Sequence, residues 1–67
     1  MKEIRTMQFV DAETRQTTVA VVRAGAGVIG LSLSAEDDGD VEVFLGVEDC
    51  RTLISVVNEA IELARPS

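Results

Sequence analysis

Apolar and polar positions alternate along the first two thirds of the chain, then switch to a helical period at Val47. Ile29, Leu31, Leu33 and Ala35 alternate with Gly30, Ser32 and Ser34, the period-2 pattern of a strand with one buried face. Val41, Val43 and Leu45 alternate with Glu42, Phe44 and Gly46 and predict another strand. Upstream, Thr17 to Val22 (TTVAVV) is β-branched and apolar on both faces, which suits a strand covered on both sides. Glu3 to Val10 carries a weaker signal, with Ile4, Met7, Phe9 and Val10 among polar residues, and predicts an edge strand. The connections follow from composition. DAETRQ (11–16) has no large apolar side chain and predicts a mobile surface loop. AGAG (24–27) supplies residues able to take positive φ, and Asp38-Gly39 is a strong hairpin signal.

Val47 to Arg65 predicts the one helix. Val47, Cys50, Ile54, Val57, Ile61 and Ala64, with Leu53 at the margin, recur at three- and four-residue spacings and form an apolar stripe expected to lie on the sheet. Gly46 serves as N-cap, Glu48 and Asp49 place negative charge on the first turn, Arg65 sits at the opposite end, and Pro66 stops the helix. Val56, Ala60 and Leu63 fall outside the stripe and are the candidate dimer contact. The expected fold is α+β: a four-stranded antiparallel meander with one C-terminal helix on it, in a single small domain over residues 1–67.

Size and charge narrow the function. A chain of 67 residues is near the lower limit for a core without metal or disulfide. Its 46% hydrophobic content predicts folding, but aromatics make up only 3%, from Phe9 and Phe44, so burial is expected to be completed by a second copy. The formal net charge of −6 disfavours nucleic acid and anionic lipid as partners. A lone Cys50 and the absence of histidine leave no zinc site, and the N-terminal stretch reads as neither a signal peptide nor a membrane span. A cytoplasmic setting is expected. Lacking His, Trp and Tyr, the chain offers only carboxylates for acid-base work, and no pair is marked for it. No enzyme activity, metal or cofactor is expected.

Gly25, Gly27 and Gly30 nevertheless have the G-x-G-x-x-G spacing of a dinucleotide-binding turn. The run GAGVIGLS resembles the flavin-binding turn of amino-acid oxidases and related flavoproteins. That resemblance implies a cofactor held by these glycines, with Glu48 on its ribose. It also requires a helix after the glycines, where this chain has LSLSAEDDGD, alternating and poor in helix formers. Arg23 stands where a buried parallel strand would be apolar, and the length allows only one βαβ unit. Extension after Gly30 is therefore expected, with the glycines serving a hairpin and a close backbone approach. EDDGD (36–40) lacks the spacing of an EF-hand and reads as a solvated turn.

The order of four strands and a helix resembles, in topology alone, the single-stranded nucleic-acid-binding transcriptional coactivators that dimerise through their helices. The resemblance implies binding on the sheet, for which Arg5, Arg15 and Arg23 would supply the cations. Charge favours a different reading. The chain is expected to be a small acidic protein-interaction module, a regulator, inhibitor or accessory subunit. It would self-associate through Val56, Ala60 and Leu63 and meet a basic protein through Glu36, Asp37, Asp38 and Asp40, with Glu48, Glu59 and Glu62 adding to the steering.

Overall fold

The computed structural model describes residues 1–66. Strands β1 (Lys2–Val10), β2 (Thr17–Gly25), β3 (Val28–Ala35) and β4 (Gly39–Gly46) are followed by helix α1 (Val47–Ala64). The strands form one antiparallel sheet in sequential order, the expected meander with a C-terminal helix.

Each turn has a local cause. Gly25 pairs with Val28, so Ala26 and Gly27 make the tip of the β2–β3 hairpin, and Gly27 takes φ of 74°. Ala35 pairs with Gly39 across a three-residue tip, with Gly39 at φ of 82° and the Asp38 N–H donating to the Ala35 carbonyl at 3.2 Å. The loop between β1 and β2, expected to be mobile, is tied down. The Asp11 carboxylate accepts the backbone N–H groups of Glu13 and Thr14, both at 2.8 Å, and the Asp11 backbone N–H donates to the Gln16 carbonyl at 2.9 Å. An aspartate that closes a turn on itself in this way replaces hydrophobic burial as the ordering force. Arg15 completes the turn at φ of 66°.

Register divides the sheet into two unlike faces. Directly opposed residues point the same way, so Met7, Ala20, Leu33 and Val41 share one face, as do Val22, Leu31 and Val43. Phe9, Ile29 and Leu45 belong to it as well. The other face carries Gln8, Val19, Ser34 and Asp40 in one row and Thr6, Val21, Ser32 and Glu42 in the next. A register shift between Glu3 and Arg5 interrupts edge strand β1 near its start.

The helix starts at Gly46, in extended backbone at φ −66° and ψ 162°, with no side-chain cap but with Glu48 and Asp49 on the first turn. It stops where Pro66 forces Arg65 into extended backbone at ψ 138°. Of the strands, α1 approaches only β3 and β4. The expectation that its stripe lies covered on the sheet is corrected: Cys50 is half-buried, while Ile54, Val57 and Ile61 are exposed and no helix residue is buried. Leu33 is exposed too, so the apolar face of β3 is as read but is not a buried face within one chain. One helix that approaches two strands does not cover four.

Candidate interaction surface

Within one chain there is almost no hydrophobic core. Ala20 is the buried hydrophobic residue and Thr18 the buried polar one among the described residues, both on central strand β2. Met7, Phe9, Val41 and Val43 lie open on the apolar face, and Phe9 is 47% exposed. The accessible surface is 5346 Å², whereas a compact monomer of 7.2 kDa exposes about 4,100 Å². The radius of gyration, 13.5 Å, exceeds the about 11 Å expected of a compact domain of this length. Roughly 1,200 Å² per chain is thus left uncovered that a domain of this mass ordinarily hides.

The opposite face is satisfied in part by its own residues, although Phe44 and Met1 at its far end stay exposed. Arg23 Nη1 donates to Glu42 Oε2 at 3.1 Å and to Ser32 Oγ at 3.2 Å, and Ser32 Oγ donates to the same carboxylate oxygen at 2.9 Å. The cation that sequence left without a partner on β2 therefore finds one two strands away on β4. Side-chain exposures of 34% and 47% limit this pair to a surface interaction of at most about 1 kcal/mol. At the far end of the same face, a Cβ on Gly30 would sit 3.3 Å from Met1 Cε and 3.4 Å from Phe44 Cε1. Gly30 thus admits a close approach, while Gly27 makes the hairpin.

Extension of β3 from Val28 decides the meaning of the glycine motif. A phosphate cradle needs helix N–H groups aimed at the anion just after the glycines, and here a strand pairs on both sides instead. Glu48 lies on the first turn of α1.

Other expected site residues are distributed as follows. Val56, Ala60 and Leu63 are exposed on α1, Leu63 at 82%. Glu36, Asp37 and Asp38 form the β3–β4 tip and Asp40 is the second residue of β4, all exposed. The tip is linked to the β1–β2 loop by Gln16, a residue that composition gave no reason to select. Its side-chain amide donates to Asp38 Oδ2 at 2.7 Å and accepts the Asp37 N–H at 2.9 Å, and the Thr17 N–H donates to Glu36 Oε1 at 3.3 Å. The acidic tip is consequently held in place beside a second loop. Asp11 is held below its usual carboxylate range by the Thr14 and then the Glu13 backbone N–H groups.

Arg5, Arg15 and Arg23 do not share a surface. Arg5 opposes Val22 on the apolar face, Arg23 opposes Gly30 on the polar face, and Arg15 is in the β1–β2 loop. Among the described residues, no acidic and cysteine side chains converge into a group that could hold a metal ion, and no helix is long and apolar enough to cross a membrane. In comparisons with known proteins, no family model, curated protein or solved structure matches the chain.

Proposed function

We propose that this chain is a small acidic, non-enzymatic protein-interaction module that acts as a dimer and serves as a regulator, inhibitor or accessory subunit in the cytoplasm. The observation that carries the proposal is the roughly 1,200 Å² of surplus surface, found together with open apolar side chains on both sheet and helix. Neighbouring exposed apolar side chains together with such a surplus of surface are what an interacting surface presents before its partner covers it. Val56, Ala60 and Leu63 add a second apolar strip to α1 for contact between copies. The acidic tip at Glu36, Asp37, Asp38 and Asp40, braced by Gln16, steers a basic protein surface toward the dimer.

Sedimentation over a hundredfold range of protein concentration tests the dimer. A dimer is expected, weakened by Leu63→Asp; a folded monomer at every concentration would remove the proposal. A titration with single-stranded DNA at low and high salt tests the partner class. Little binding is expected, because the net charge of −6 repels the phosphates and the arginines are dispersed. Micromolar binding that falls steeply with salt would make the chain a nucleic-acid-binding module instead.

A further inference from the structure

Three measures describe what could cover the apolar sheet face. The first is length. Helix α1 has 18 residues and spans about 27 Å, while strands of 8 and 9 residues run about 26–30 Å. A helix of this size spans the face end to end. Second, the helix of the same chain approaches only β3 and β4, which leaves Met7 and Phe9 of β1 open, and Val41 of β4 is open as well. Third, the surplus of roughly 1,200 Å² per chain gives about 2,400 Å² over two chains, within the range of obligate homodimers.

We infer that the apolar sheet face of one chain is covered by helix α1 of a second copy, which receives the first copy's helix on its own sheet in return. The inference rests on the dimer proposed above and adds a larger contact to its strip of Val56, Ala60 and Leu63. Ile54, Val57 and Ile61 of one copy meet Met7, Phe9 and Val43 of the other. Both halves of the contact are present on every chain, and this reciprocal arrangement is the one that closes after two copies with two-fold symmetry.

Two single-cysteine proteins test this geometry, Phe9→Cys and Ile61→Cys, each also carrying Cys50→Ser. They are refolded together and oxidised mildly, and the covalent products are separated by mass. A Phe9–Ile61 heterodimer in at least about tenfold excess over either homodimer is expected. If Phe9→Cys fails to fold by circular dichroism, Met7→Cys takes its place. Prominent Ile61–Ile61 product, or no cross-link in a protein that sediments as a dimer, would overturn the exchange while leaving the dimer standing. Monomeric sedimentation of the Cys50→Ser protein would overturn both.

Discussion

The two faces of the sheet are built from the same strands and differ only in which residues of each pair they receive. On the polar face, Arg23, Ser32 and Glu42 satisfy one another, and Met1 and Phe44 close over Gly30. On the apolar face, Met7, Phe9, Leu33, Val41 and Val43 remain open. The polar face is closed in part by its own residues, with Phe44 still exposed, whereas the apolar face stays open across β1 and β4 within a single chain. Hydrogen bonds and ion pairs are short-ranged and can be closed by neighbours across one or two strands. Apolar burial needs a whole opposing layer, and one helix in contact with two strands does not supply it.

Substitutions on the two faces should therefore differ in size and in concentration dependence. The largest effect is expected from Val43→Asp, which would bury a carboxylate in the interface. A loss of at least about 3 kcal/mol is expected, read as dissociation in sedimentation and as a lower thermal midpoint. A folded dimer with an unchanged midpoint would make the apolar face a free surface. If the proposed dimer forms, the wild-type midpoint should itself rise with protein concentration, because association of folded chains draws the folding equilibrium forward by mass action.

Gly27→Ala acts on the hairpin that sets the register of both faces. Its φ of 74° is unfavourable for a residue with a Cβ, and a loss of about 1–2 kcal/mol is expected in denaturant unfolding. Glu42→Gln acts on the polar face alone. It keeps a hydrogen-bond acceptor for Arg23 but removes the charge, so a loss below about 1 kcal/mol is expected, diminishing further in high salt. Dissociation of the dimer by this variant would show that the faces are not independent.

The smallest effect concerns Asp11, beyond both faces. Its folded pKa is lowered from 3.8 by the Thr14 and Glu13 N–H groups. A depressed carboxyl pKa means the charged form is favoured on folding. Its contribution is fully present above the ordinary value and is lost as pH falls through the lowered one. Faster amide exchange at Glu13 and Thr14, confined to that acidic window and present at all pH values in Asp11→Ala, is the expected sign. Uniform exchange across the window would remove the turn's dependence on this carboxylate.

Much of this architecture is legible from local pattern. Alternation at Ile29 to Ala35 and at Val41 to Leu45 gives strands, because a pleated backbone sends successive side chains to opposite sides. The change of period at Val47 gives the helix, and Pro66 its end. The same alternation places extension after Gly30 and so turns a cofactor-like glycine run into a hairpin. Acidic residues of the β3–β4 tip are equally visible as a turn. Gln16 is not, because its two contacts join residues more than twenty positions away and no period or composition marks a polar loop residue as a brace.

What sequence alone determined is the identity of the elements, their order and which residues share a face, all consequences of period, turn chemistry and backbone geometry within a few residues. Only the tertiary structure decided that Arg23 finds Glu42, that Gln16 binds the acidic tip, and that the helix approaches two strands of four. Pattern states that Phe9, Val43 and Ile61 are apolar and aligned. Whether they are covered depends on where whole layers lie relative to one another, a long-range property that no local spacing carries.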